Sequence, residues 1–193
     1  LRLSDGSVFK KGRRLTESDV KQLGDDGITT LWAAALSADD LDEDQAAAQV
    51  AQAVSGPNTR TADAATGRCN LHAACDGVLV LDTSAIGQLN HLDPDLTLAT
   101  LPNLSPVRSG EMVATIKVIP FAVPFGLVAA AQKRAAQSLA ECGGLIRIAP
   151  FVPRRMGLIL TRTQGLPESI LDRAAAAQRV RAERLSSQIV EEQ

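Results

Sequence analysis

Thr66-Gly67-Arg68-Cys69-Asn70-Leu71-His72-Ala73 sets polar Thr66, Arg68, Asn70 and His72 in alternation with Gly67, Cys69 and Leu71. On an extended segment successive side chains point to opposite faces, so the four polar groups would share one face. A helix would scatter them. The stretch therefore predicts a strand, and Gly67 at its head permits close approach of the backbone to a ligand. Two readings of the polar face stay open: a surface for a polar, anionic molecule, or a strand face turned to water.

Further apolar runs around this stretch make the middle of the chain β-rich. Strands are expected at 78–82, 96–101, 112–120 and 145–150, punctuated by Pro94, Pro102, Pro106 and Gly110. A helix over 127–142 would end at Gly143-Gly144. Toward the N-terminus, residues 1–3 and 8–10 read as a hairpin around Asp5-Gly6. Thr16 is an N-cap with Asp19 as its capping-box partner, Val20 and Leu23 form the apolar stripe, and Gly24 or Gly27 stops the helix. Residues 28–36, which include the only Trp, have the length of a buried strand. A helix is expected from the acidic run at 39–44 to Val54, where Gly56-Pro57-Asn58 closes it. At the other end, a strand over 156–161 and a helix from Glu168 to about Val190 read as half of a βαβ unit, for which a parallel partner strand should follow. The fold class is α+β, a mixed or antiparallel β-rich body with flanking helices.

The 193 residues suit one domain or two small ones, with an aliphatic core: one Trp, no Tyr and four Phe. A formal net charge of −2 supplies no general field for nucleic acid, and the scarcity of aromatics argues against a base-stacking platform. No apolar run has the length of a membrane span, so neither a nucleic acid nor a membrane is expected as partner. Three Cys, an odd number, fit reduced thiols of the cytoplasm better than a disulfide framework. The opening residues do not read as a signal peptide. With no initiator Met and a βαβ unit short of its second strand, the chain is expected to be a fragment or a processed product.

Several groups carry competing chemical readings. Thr115 and Lys117 alternate with Ala114, Ile116 and Val118, and the Lys is either a protective edge lysine or part of a site. The acids at 39–44 complement a helix N-terminus, and they lack the Gly of a calcium loop. Cys69, His72 and Cys75, with Cys142 and His91 elsewhere, do not have the paired spacing of a structural zinc site, so buried free thiols are expected and no metal. His72 has no legible nucleophile beside it. Arg173, Arg179, Arg181 and Arg184 on the last helix read as a solvated face.

Residues 10–16 through 27–28 resemble the segment of MoeA-type molybdopterin molybdotransferases that leads into their molybdopterin-binding domain. Four stretches, 11–15, 40–48, 66–73 and 114–123, more closely resemble a MoeA-related bacterial molybdopterin-binding family that is sometimes fused to a molybdenum cofactor nucleotidyltransferase. Residues 98–102 and 157–161 fit the same resemblance. It implies a MoeA-like α/β body over 1–155 and, over 156–193, the first strand and helix of a truncated, Mog-like molybdopterin-binding α/β domain. It further implies molybdopterin as ligand, a role in molybdenum cofactor biosynthesis or handling, and transferase-pathway chemistry for any activity. Magnesium would serve only in a longer protein. The implied partner is a fused or separate nucleotidyltransferase, and an apolar strand edge would permit a homodimer. On this view Thr66, Arg68, Asn70, His72, Thr115 and Lys117 are the ligand-binding residues, with Arg68 and Lys117 on the phosphate and Asn70 and Thr115 fixing orientation. The alternative is a non-catalytic interaction or scaffold module that positions a partner enzyme.

Overall fold

The alternation at 66–73 becomes a strand at Arg68–Ala73 (β3), in which Cys69, Leu71 and Ala73 are buried and Arg68, Asn70 and His72 face outward. The computed structural model describes residues 1–10 and 12–193. In chain order its elements are α1 (Glu17–Asp25), β1 (Asp40–Asp42), α2 (Glu43–Val54), β2 (Thr59–Thr61), β3, β4 (Gly77–Leu81), α3 (Thr83–Asn90) and β5 (Leu96–Thr100). There follow β6 (Pro106–Val107), β7 (Met112–Val118), β8 (Ala122–Pro124), α4 (Phe125–Cys142), β9 (Ile146–Pro150), β10 (Arg155–Leu158), α5 (Glu168–Arg184) and β11 (Gln188–Glu192). The fold is α+β.

The principal sheet is antiparallel in the order β2-β3-β7-β5. Its inner face carries Leu71, Ile116, Val118, Leu96 and Leu98, each at most 3% exposed. Against that face lies α2, whose Ala46, Ala47 and Ala51 are fully buried beside Val50 and Val54. A helix surface of Ala approaches a sheet closely, and here the Val and Leu side chains fill the gaps that remain. The next layer is α4, which packs on α2 through Val128, Ala131 and Ala135. A second sheet, β6-β4-β9, adds Leu79, Ile146 and Ile148 to the same core. Between Ala114 and Met112 the register with β3 slips by one residue, so that Val113 and Ala114, consecutive in sequence, are both buried. This is a β-bulge, and it re-aims the end of β7.

At the N-terminus the hairpin is a single bridge between Arg2 and Val8. Thr16 and Asp19 close the capping box of α1, and the Thr16 N–H, the Thr16 hydroxyl and the Arg13 guanidinium hold the Asp19 carboxyl below its usual range. Gly27, at φ +77°, lies just past the end of α1, where the left-handed conformation is needed. Leu3, Phe9 and Leu23 form a small separate core. Val20, expected on the apolar stripe, is 59% exposed, because this short helix has only one row of partners to cover.

Two expectations are corrected. Residues 28–36 form no strand: 29–36 are all exposed and Trp32 is 99% exposed, since no neighbouring strand offers its backbone to this run. The last helix stops at Arg184 rather than near Val190, and residues 188–192 are β11, parallel to β10. The strand that the βαβ reading required is thus contained in these last residues. Ser186 at φ +56° turns the chain, with Ser186 N–H donating to Glu183 O and Ser187 N–H to Ala182 O. Such a double bond closes a Schellman cap, with Ser where Gly is usual. Arg179 then holds Glu192 through both carboxylate oxygens at 2.6 and 2.5 Å. No helix among the described residues is long and apolar enough to cross a membrane.

Candidate functional site

Antiparallel pairing sets Arg68 opposite Lys117 and Asn70 opposite Thr115. With His72, next to Met112 across the bulge, these residues form one polar row on the outer face of the sheet. The Thr115 hydroxyl donates to Asn70 Oδ1 at 2.7 Å. From β2, Arg60 lies opposite His72, and from β5, Thr97 lies opposite Lys117.

Thr66 departs from the alternation. It lies before the strand, in a two-residue turn in which Ala65 N–H donates to Arg68 O and Arg68 N–H to Ala65 O. Thr66 and Gly67 have φ of +52° and +69°, the paired positive values of the I′ hairpin turn. A β-branched residue rarely takes that conformation, so its surroundings must hold it there. They do so through Lys117 Nζ, which donates to Thr66 O at 2.6 Å, and through Gly67. Gly67 N–H donates to Asp44 Oδ1 at 2.7 Å, and Val118 N–H donates to Gly67 O at 2.8 Å. A Cβ at Gly67 would stand 2.6 Å from Val118 O, 2.7 Å from Glu43 Oε2 and 3.0 Å from Lys117 Nζ. The close approach at this glycine is to β7 and the first turn of α2, where the sequence reading expected a ligand.

That first turn explains the acids. Asp42 is the N-cap of α2, accepting from Gln45 N–H at 2.8 Å, and it also receives Arg14 at 2.7 Å. Asp40 accepts from Ser37 N–H at 2.8 Å, and Asp44 fixes Gly67. Among the described residues no group of three or more His, Cys, Asp or Glu is arranged to hold a metal ion. The cysteines are free thiols: Cys69 is buried, Cys75 half-buried and Cys142 exposed. Burial, with Asp63 adding to it, pushes the Cys69 thiol up. His91 lies at the end of α3, its Nδ1 2.6 Å from Gly87 O.

Two cavities adjoin this turn, and both include Glu43 and Phe121 in their walls. The smaller, about 320 Å³, is lined by Thr66, Lys117, Ile119 and Pro120 as well. The larger, about 1050 Å³, opens between α2, the segment Gly12 to Leu15 and the segment carrying Trp32. Arg68, Asn70, His72 and Thr115 line neither. The sheet thus brings five of the six expected ligand-binding residues onto one face, but only Thr66 and Lys117 meet a concavity. Glu43, Phe121 and Trp32 were not legible as site residues, because nothing in their spacing marks a cavity wall. Lys11 lies outside the described residues.

No protein-family model matches the chain, and no curated protein or solved structure matches it.

Proposed function

We propose that this chain binds molybdopterin, a phosphorylated pterin dithiolene, and acts in molybdenum cofactor biosynthesis or handling. One observation supports the reading. Four stretches that carry the resemblance lie far apart in sequence, yet parts of them, residues 12–15, 40–45, Thr66, Gly67, Lys117 and residues 119–121, come together around the first turn of α2 and its two cavities. An ammonium has three donors, and Lys117 commits one to Thr66 O. The others are available to a phosphate in the smaller cavity, and Arg68 is the next cation, opposite Lys117 on the neighbouring strand. Asn70 and Thr115, bonded to each other, hold the row between them in register. Transfer chemistry, where it occurs, would draw on magnesium held in a longer form of the protein, with a molybdenum cofactor nucleotidyltransferase, fused or separate, as its partner in the cytoplasm.

One observation favours the alternative of an interaction module. Arg68, Asn70, His72 and Thr115 lie on an open sheet face with half-exposed Met112, outside either cavity. Calorimetric titration of the chain with purified molybdopterin separates the readings. Binding that falls at least tenfold in Lys117→Ala supports the ligand site. Absence of binding by the folded protein overturns it and leaves the module.

A further inference from the structure

The only Trp of the chain occupies an unusual place. Trp32 is 99% exposed, although indole is among the largest apolar surfaces a protein can bury. It lies midway along residues 29–36, all exposed. The ends are fastened. Ile28 N–H donates to Leu23 O at 2.9 Å, and Ser37 N–H donates to Asp40 Oδ2 at 2.8 Å. Leu31 and Leu36, 44% and 42% exposed, flank it, and all three line the cavity of about 1050 Å³. Pockets for small molecules span about 300–1,000 Å³, so one heterocycle with its substituents fits this space.

The charges of the wall select what that heterocycle is. The cations Lys10, Arg13 and Arg14 face the acids Asp40, Asp42, Glu43 and Asp44. Arg13 is paired with Asp19 and stacked on Phe9, and Arg14 is paired with Asp42. With its cations largely committed, the wall cannot draw in a polyanion through its field. It suits a planar, largely neutral ring held by stacking, whose single anionic tail reaches the adjoining cavity and Lys117. Glu43 and Phe121 stand in the walls of both cavities, which therefore adjoin each other.

We infer that Trp32 is the stacking surface for the ligand's ring: the larger cavity takes the planar pterin system against the indole, and the smaller takes the phosphate. The inference rests on the molybdopterin reading and assigns its ring a place. Neopterin monophosphate serves as a dithiolene-free probe. Calorimetry should give binding, and emission of the single Trp should change with the same midpoint. Trp32→Ala should bind this probe about 5- to 100-fold more weakly, the range for loss of one base–aromatic stack, and Trp32→Phe should recover most of the loss. A side chain so exposed is removed without loss of fold, which thermal denaturation verifies. Unchanged affinity in Trp32→Ala, with the wild-type protein still binding, overturns the stacking role and leaves the ligand reading intact. Failure of the wild-type protein to bind either the probe or purified molybdopterin overturns both. A Trp32 signal that follows protein concentration alone, with a dimer in sedimentation, also overturns it and assigns the indole to a second copy.

Discussion

Replacing Gly67 by Ala tests the geometry at the centre of the site. The position has φ +69°, and a left-handed conformation costs an L-residue about 1–2 kcal/mol. The added methyl would also stand 2.6 Å from Val118 O, which is backbone and cannot rotate away. To admit it the turn must withdraw from β7, and the Val118 N–H to Gly67 O bond lengthens or breaks, at about 0.5–1.5 kcal/mol. The sum is a loss of about 1.5–3.5 kcal/mol, combining the conformational and hydrogen-bond costs. Urea unfolding followed by far-UV circular dichroism would read it as a lower midpoint at unchanged slope. The same displacement moves Thr66 O from Lys117 Nζ, so affinity for a phosphorylated ligand should fall with stability. A Gly67→Ala variant within about 0.5 kcal/mol of the wild type, the ordinary range for a surface substitution, would refute the turn geometry and the close approach together.

Thr66→Asn places a residue common in I′ turns where a β-branched one is strained, and should raise stability by about 0.5–1 kcal/mol in the same assay. Asp82 caps α3 through Ala85 N–H and accepts from the buried Ser138 hydroxyl on α4, and these bonds, that from Ala85 first, hold its carboxyl below the ordinary value of 3.8. Its contribution is complete above that value and is lost as pH falls through the lower folded one. Asp82→Ala should therefore cost about 1–3 kcal/mol at neutral pH, while Asp82→Asn, still a cap and an acceptor, costs less and flattens the acid limb of the stability curve. With a thiol reagent on the native protein, exposed Cys142 should react first, and buried Cys69 only at the rate of opening. Immediate modification of all three thiols would contradict the burial of β3.

Leu96–Thr100 was legible because its period-two burial leaves an alternating sequence, and Gly77–Leu81 as a short unbroken apolar run. The end of α4 was legible because Gly143 takes φ +78°. The end of α5 was not, because Ser186 occupies the left-handed position without the glycine that would announce it. Nor could residues 28–36 be read, since an apolar run says how much it would gain from burial and not whether a partner exists. The polar row of the site followed from alternation in β3 and β7 separately, but the register Arg68 to Lys117 is a long-range fact. Thr66 was placed on the strand face because its β-branched side chain reads as strand and nothing local marks it as the first residue of the turn.

The contacts that shape the two cavities span long stretches of chain: Arg14 to Asp42 across 28 residues, Gly67 to Asp44 across 23, and Lys117 to Thr66 across 51. Loop closure over such distances comes late in folding, after local helices and hairpins have formed. The two cavities are then a property of the completed chain topology. A polypeptide emerging from the ribosome has α2 and the Thr66–Gly67 turn well before Met112–Val118 is available to pair with Arg68–Ala73. Until that strand inserts, the turn has no lysine to hold it and the smaller cavity lacks the wall that Lys117 supplies.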